Sequence, residues 1–169
     1  MRRYSLGGKT MRLYFAAPLF SQPERHFNER LTQRLEAQGL TVYLPQRDGA
    51  EKDAPAYNAM TPEERGRAIF HLDKEHIFAC DIFLVLLDGR ILDEGVCVEL
   101  GLAYCQRELQ SKKKALIGLQ TNNRAAFSGS HLNPMIRVPL DYLAFDEETL
   151  LHILHQYQIT GRVALQEKS

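Results

Sequence analysis

The chain has 169 residues, of which 44% are hydrophobic and 25% are charged, a composition typical of one globular domain with a full core. Basic and acidic residues both number 21, so the formal net charge is zero. This balance, together with the lack of any apolar run near the roughly 20 residues of a membrane span, excludes a nucleic acid polymer or a membrane as an expected partner and favours a small neutral ligand.

The first predicted elements follow residues 1–10, which we expect to form a flexible extension. The run MRLYFAAPLF predicts a short strand, and the four-residue spacing of Phe27, Leu31 and Leu35 predicts an amphipathic helix after it. TVYLP predicts a second strand. The polar stretch from Gln46 to Tyr57 has no periodicity and is expected to be a loop, of a length that is often functional.

The next helix has a strong start signal. Thr61 is the predicted N-cap, Pro62 occupies the first helical position, and Glu64 is spaced to close a capping box. Asp73 borders the apolar stripe of this helix, and from its position alone we expect a solvated side chain. The segment IFLVLLDG then predicts a strand covered on both faces, which indicates a parallel sheet.

The remaining elements continue this alternation. A helix containing Glu99 precedes a fourth strand, KKALIGLQ, and an irregular region through GSHLNPMIRVPL leads to a short strand near Tyr142–Phe145 and a last helix at Glu147–Tyr157. Alternating strands and helices predict an α/β fold, a doubly wound and mainly parallel five-stranded sheet with helices on both faces. We expect one domain over residues 11–160 and a tail over residues 161–169.

Glu99 is the residue that secondary structure does not explain. It lies in the apolar segment VCVELGLA, and the residues one helical turn away include no lysine or arginine. In a doubly wound sheet, ligands bind beyond the carboxyl ends of the strands, and this helix leaves the third strand at that edge. Glu99 could therefore face a ligand crevice, or it could pair at long range with an arginine as a structural contact. The residues alone leave both interpretations open.

Other candidate residues have simpler explanations. Asp93 and Glu94 precede the same helix, and helix capping accounts for one of them. The three cysteines, Cys80, Cys97 and Cys105, lack C-x-x-C spacing, and their neighbours in sequence are apolar. This pattern predicts core packing in a reducing cytoplasm. The histidine spacing predicts no metal site, and the lack of G-x-G-x-x-G and P-loop motifs argues against dinucleotide binding and phosphoryl transfer.

Five segments together resemble the nucleoside 2-deoxyribosyltransferase family in order and spacing, from about Met11 to Leu140. They are LYFAAPLF, HLDKEHIFACDIFLVLLDG, DEGVCVELGLAY, KKALIGLQTNNR and NPMI, and the D-E-G-x-x-x-E-L-G block is the most specific. The resemblance implies a flavodoxin-like domain that needs no cofactor, acts on 2'-deoxyribonucleosides and free nucleobases, and forms homo-oligomers with shared active sites.

The resemblance also implies roles for particular residues. Glu99 matches the glutamate that attacks the anomeric carbon of the sugar, and Tyr14 matches the tyrosine that orients it. Asp73 and Asp93 match two aspartates that between them handle the base and the sugar 5'-hydroxyl. Such a nucleophile benefits from poor hydration, because the oxocarbenium-like transition state supplies the positive charge that the resting site lacks.

Four further positions are expected to contact the substrate. Asn133 matches an asparagine that a neighbouring subunit contributes near the sugar. Gln46, after the second strand, is a candidate for base recognition, and Phe20 and Gly95 are expected to line the site.

The predicted function is therefore transfer of a 2-deoxyribosyl group between nucleobases by a retaining double displacement. One alternative is a 2'-deoxynucleoside 5'-monophosphate N-glycosidase, although the apolar Leu19 and Phe20 in the first loop are poor phosphate ligands. A second alternative is a non-catalytic nucleotide-sensing or receiver-like module. A receiver needs clustered acidic residues at the end of the first strand, and YFAAPLF has none.

Overall fold

One sheet of five strands forms the centre of the protein in the computed structural model, which describes residues 10–50, 55–89, 91–122 and 132–163. The strands are β1 (Arg12–Ala16), β2 (Thr41–Tyr43), β3 (Ile82–Leu86), β4 (Ala115–Leu119) and β5 (Tyr142–Ala144). The helices in these ranges are α1 (Gln22–Ala37), α2 (Pro45–Asp48), α3 (Pro55–Asn58), α4 (Pro62–Ala79), α5 (Glu94–Gln110), α6 (Pro134–Arg137) and α7 (Glu147–Thr160). Most of the predicted extension and tail lies outside the described residues.

The strand order confirms the predicted doubly wound sheet. The order is β2-β1-β3-β4-β5, and every neighbouring pair is parallel. This is the flavodoxin-like arrangement, in which the chain changes direction across the sheet between β1 and β3. All five residues of β3 are buried, as its continuous apolar sequence predicts for a central strand.

Alternation along β1 divides the core into two layers. Leu13 and Phe15 point to one face, where they join the buried side chains of α1 and α7. Tyr14 and Ala16 point to the opposite face, which is covered by apolar residues of α4 and α5 such as Ile77, Val96, Leu100 and Ala103. The helices α1 and α7 therefore cover one face of the sheet, and α4 and α5 cover the other face, where Tyr14 lies.

The capping prediction for α4 is confirmed. Thr61 is the N-cap, and its side chain and that of Glu64 form a reciprocal capping box, with Pro62 in the first turn. At the other end of the chain, α7 extends to Thr160, three residues beyond the prediction, and ends at Gly161 in the left-handed conformation.

The predicted loop from Gln46 to Tyr57 is wrong in part, because it contains α2 and α3. Each of these helices has four residues, which is too short for a periodic pattern to show in the sequence. Local contacts hold α2 instead, since Pro45 begins it and the Asp48 carboxylate accepts a hydrogen bond from the Leu44 amide. The irregular region before β5 likewise contains the four-residue helix α6.

The cysteine prediction holds for one residue of three. Cys80 is buried, whereas Cys97 is partly exposed and Cys105 is exposed on α5. All three are free thiols. Cys105 projects from the solvent side of the helix, a position that the apolar neighbours in sequence do not reveal. None of the described helices has the length and apolar character required to cross a membrane.

Candidate active site

Glu99 receives a hydrogen bond from the centre of the sheet. The Tyr14 hydroxyl donates to Glu99 Oε1 at 2.6 Å, across 85 residues of sequence. Tyr14 is fully buried on β1, and Glu99 is partly buried on the second turn of α5. This contact brings a neutral donor to the carboxylate. It orients Glu99 without cancelling its negative charge.

Burial raises the pKa of Tyr14 well above its ordinary value of 10.0, and the negative charges of Glu99 and Asp73 raise it further. The phenol is consequently protonated at neutral pH. Tyr14 therefore acts as a hydrogen-bond donor to Glu99.

Asp73 is buried, so the expectation of a solvated side chain is wrong. Only 7% of the residue is exposed, and the Tyr43 hydroxyl donates a hydrogen bond to Asp73 Oδ1 at 3.2 Å. Asp73 borders the apolar stripe of α4 as predicted, but the stripe faces the sheet at the point where Tyr43 emerges from β2. The partner is 30 residues away in sequence, and helical periodicity carries no information about it.

Aromatic rings from neighbouring strands form the floor of this region. Strand register places Tyr14 beside Tyr43 on β2 and beside Phe83 on β3. The Tyr14 and Tyr43 ring centroids are 5.5 Å apart, and those of Tyr14 and Phe83 are 5.7 Å apart, both in stacked geometry. His76 of α4 stacks on the other side of Tyr43 with 3.7 Å between centroids. The two phenols are thus fixed side by side.

A pocket of about 320 Å³ lies between α4 and α5 and contains both carboxylates. Its lining from α4 is Gly66, Ile69, Phe70, Asp73, Lys74 and Ile77, and its lining from α5 is Glu94, Gly95, Val98, Glu99 and Leu102. The Lys74 ammonium lies 5.5 Å from the centroid of the Phe70 ring. The pocket therefore combines three carboxylates, those of Asp73, Glu94 and Glu99, with mainly apolar walls, as a site for a small organic ligand does.

Asp93 and Gly95 shape the start of α5. Asp93 is the N-cap, and its Oδ1 accepts a hydrogen bond from the Val96 amide at 2.9 Å, so helix capping explains this residue at least in part. A side-chain carbon at Gly95 would lie 3.1 Å from the same oxygen. Glycine at this position permits the close approach of the cap and leaves room at the edge of the pocket.

The structure places Gln46 and Phe20 beside the first loop. The Gln46 side chain accepts a hydrogen bond from Asn28 and donates to the Arg25 carbonyl and to Glu29, all three on α1. Phe20 is 78% exposed. Within the described residues, neither side chain lines the pocket that contains Glu99.

Asn133 is exposed and caps α6, where its Oδ1 accepts a hydrogen bond from the Met135 amide at 2.9 Å. It is also separate from the described lining of the Glu99 pocket in its own chain. The structure thus brings together Glu99, Asp73 and Gly95, with Tyr14 beneath them.

Sequence reasoning missed Tyr43 and His76. The available signal for Tyr43 was weak, because it ends a three-residue strand whose register with β1 cannot be known before the sheet is assembled. Among the described residues, no group of three or more histidine, cysteine, aspartate and glutamate side chains is arranged to hold a metal ion.

Comparison with solved structures gives matches over most of the chain. A conserved protein from Enterococcus faecalis V583 is 27% identical with a TM-score of 0.67, over 88% of this chain and 99% of that one. A 2-deoxyribosyltransferase from Bacillus psychrosaccharolyticus is 23% identical with a TM-score of 0.66, over 83% and 90%. A CMP N-glycosidase from Clostridium botulinum is 21% identical with a TM-score of 0.52, over 86% and 98%. The last two similarities concern the fold.

No curated protein matches the sequence significantly. The model of the nucleoside 2-deoxyribosyltransferase family, in contrast, matches residues 13–137, which include β1 with Tyr14, α4 with Asp73 and α5 with Glu99. The match covers the larger part of the chain and all of the pocket described above. The chain therefore belongs to the nucleoside 2-deoxyribosyltransferase family.

Proposed function

We propose that this protein transfers the 2-deoxyribosyl group of a 2'-deoxyribonucleoside from one nucleobase to another, with Glu99 as the nucleophile. The observation that carries the proposal is the 2.6 Å hydrogen bond from the buried Tyr14 to Glu99, at a pocket that also contains Asp73. Tyr14 holds Glu99 Oε1 and so fixes the direction of the carboxylate beside the pocket. This is the arrangement that an oriented nucleophile requires.

The reaction has two displacements at the anomeric carbon C1'. In the first, a Glu99 oxygen forms a bond to C1', the bond from C1' to the base nitrogen breaks, and its electron pair leaves with the base. In the second, a nitrogen of the incoming base attacks C1' and the glutamyl ester breaks, which restores the carboxylate. Two inversions give net retention of configuration. The transition states carry positive charge on the sugar, which the Glu99 carboxylate stabilises.

Asp73 is the proposed proton carrier for the base. A departing purine takes a negative charge on its nitrogen unless a proton reaches it, and an incoming purine must lose a proton as it attacks. Asp73 lines the same pocket as Glu99 and is shielded from water, so it can perform both transfers. Asp93 and Gly95, at the start of α5, are the proposed contacts for the sugar 5'-hydroxyl.

Carboxylates at the helix starts support a nucleoside rather than a nucleotide as substrate. At the first loop, the Glu24 carboxylate accepts a hydrogen bond from the Ser21 amide at 2.7 Å and completes a capping box on α1. Asp93 caps α5, and Glu94 lies in its first turn. A helix start binds phosphate well only when its amides are available, and here carboxylates already use them or repel the anion. This observation favours the transferase over the monophosphate N-glycosidase.

Asn133, Gln46 and Phe20 have proposed roles outside the pocket of their own chain. Asn133 is exposed, as a side chain presented to a neighbouring subunit must be, and the exposed apolar residues Phe70 and Val98 at the pocket support a homo-oligomer that covers it. Gln46 and Phe20 are proposed contacts for the base. We assign the reaction to nucleotide salvage in the cytoplasm.

The test is a chromatographic assay of base exchange. Purified protein with deoxyinosine and adenine should yield deoxyadenosine, and added adenine should accelerate the loss of deoxyinosine because the base captures the glutamyl ester before water does. The same assay with deoxyinosine 5'-monophosphate should be far slower. If the monophosphate is the better donor and adenine yields no new nucleoside, the N-glycosidase replaces the transferase as the function.

A further inference from the structure

Tyr43 repeats the arrangement of Tyr14 on the neighbouring strand. The two tyrosines are in register across β1 and β2, and their rings stack on the same face of the sheet. Each phenol donates to a carboxylate from a helix above that face, Tyr14 to Glu99 on α5 and Tyr43 to Asp73 on α4. The sheet thus presents two adjacent pairs of a tyrosine and a carboxylate to one pocket.

We propose that Tyr43 is a positioning residue for Asp73. Its hydroxyl holds Asp73 Oδ1, so that Asp73 Oδ2 meets the nitrogen of the base. This inference rests on the proposed function, in which Asp73 exchanges a proton with the base. A carboxyl group rotates readily about its terminal torsion, because that torsion has a broad, nearly two-fold profile. A hydrogen bond to one oxygen therefore decides where the other oxygen points.

Tyr43 is itself held in place from two sides. Its ring lies between Tyr14, with centroids 5.5 Å apart, and His76, with centroids 3.7 Å apart. Both contacts are stacked, so the plane of the Tyr43 ring is fixed by neighbours on β1 and α4. Packing of the ring in this way fixes the position of the hydroxyl oxygen. Tyr43 can consequently orient Asp73 rather than follow it.

The proton balance of the reaction shows what Asp73 needs from Tyr43. As the bond from C1' to the first base breaks, a proton moves from Asp73 Oδ2 to the base nitrogen that receives the electron pair. As the second base attacks C1', its nitrogen returns a proton to Asp73. Both transfers require Oδ2 within hydrogen-bond distance of the base. Tyr43 keeps its own proton throughout and donates only a hydrogen bond.

Tyr43→Phe tests the proposal, because it removes the hydroxyl and retains the stacked ring. Two donors are compared, deoxyadenosine and the 2'-deoxyriboside of 6-chloropurine, whose electron-withdrawing chlorine lets the base depart with less help from a proton. We expect kcat for deoxyadenosine to fall about tenfold or more, and kcat for the chloropurine donor to fall less than about threefold. Both KM values should change little. Tyr142→Phe, a similar change on the opposite edge strand β5, should leave both donors unaffected.

The ratio of the two rates is decisive even if Tyr43→Phe lowers stability, since both donors meet the same folded fraction. An equal loss with both donors, or no loss with either, would overturn the role of Tyr43. The double variant Tyr43→Phe with Asp73→Asn should be no slower than Asp73→Asn alone, and additive losses would also contradict the proposal. Wild-type protein in the same assay separates the two hypotheses, because the absence of any new nucleoside would refute the proposed function itself.

Discussion

A partly buried glutamate among apolar residues costs folding free energy, because water solvates a carboxylate better than a protein interior does. Glu99 has this environment, with Val98 and Leu102 beside it in the pocket. The Tyr14 hydroxyl supplies a hydrogen bond but no opposite charge. The proposed role of Glu99 as nucleophile accounts for a carboxylate in this position, because active sites commonly hold groups that are retained for activity rather than for stability.

Replacing Glu99 by glutamine should accordingly remove activity and leave the fold intact. We expect transfer to fall by about a thousandfold or more, since an amide is a poor nucleophile, while the melting temperature stays equal or rises. Turnover and circular dichroism measured on the same preparation check both expectations. Glu108→Gln, on the same helix with an exposed side chain, is the matched control and should be fully active. A Glu99→Gln protein with a substantial fraction of wild-type activity would disprove the nucleophile assignment.

At the scale of elements, an ion-pair network joins α1 to α7 on the face of the sheet opposite the pocket. Glu147, in the first turn of α7, accepts hydrogen bonds from Arg30 and Arg34 of α1, and Arg34 also contacts Glu148. Burial alone would raise the pKa of Glu147, but the hydrogen bonds and charges of the two arginines outweigh it and hold the pKa below the ordinary value of 4.5. The start of α7 also favours a negative charge there. The network fixes the two helices that cover this face.

Glu147→Gln should therefore lower the free energy of unfolding by about 1 kcal/mol at neutral pH, because it removes one charge shared by two arginines. The folded protein binds the Glu147 proton less tightly than the unfolded chain. The stabilisation is thus complete above pH 4.5 and is lost as the pH falls through the lower folded-state value.

Urea unfolding of wild type and variant at pH 7 and pH 3 measures this difference, which should shrink at the lower pH. Glu63→Gln breaks the exposed pair with Arg67 on α4 and should change stability little at either pH. A difference between Glu147→Gln and wild type that is independent of pH would show that the carboxylate charge is not responsible.

In the whole molecule, the described residues proposed for the site do not all line one pocket. Glu99 and Asp73 share a pocket, whereas Asn133 is exposed at the start of α6. A symmetric homo-oligomer can bring such a residue to the pocket of a neighbour, because each interface presents the same surfaces in every subunit. Activity should then depend on assembly.

Mixing two inactive variants tests this dependence. Glu99→Ala and Asn133→Ala subunits should each be inactive, and exchange between them should restore up to about a quarter of the wild-type activity, because random pairing unites one intact Glu99 with one intact Asn133. Asn133→Asp retains the oxygen that caps α6, so its inactivity would show that the side chain does more than cap. Failure to complement despite demonstrated subunit exchange would mean that each chain completes its own site.

Elements with local signals can be predicted from the amino-acid sequence alone. The apolar run of β3 predicts a central parallel strand, Thr61 and Glu64 predict the start of α4, and the apolar neighbours of Glu99 single out that carboxylate. The family resemblance adds Tyr14 as its partner. These features depend on residues within a few positions of one another, or on motifs that are continuous in the chain.

Which side chains share the site depends on the packing of distant elements and cannot be predicted from local patterns. The burial of Asp73 depends on where α4 lies over the sheet, and its hydrogen bond from Tyr43 depends on the register of β1 with β2. A shift of one residue in that register would turn Tyr43 to the other face, although the sequence would read the same. The short helix α2 is decided in the same way, by contacts too few to leave a periodic pattern. Local patterns specify elements, whereas the pairing of distant residues is specified only when the sheet is assembled.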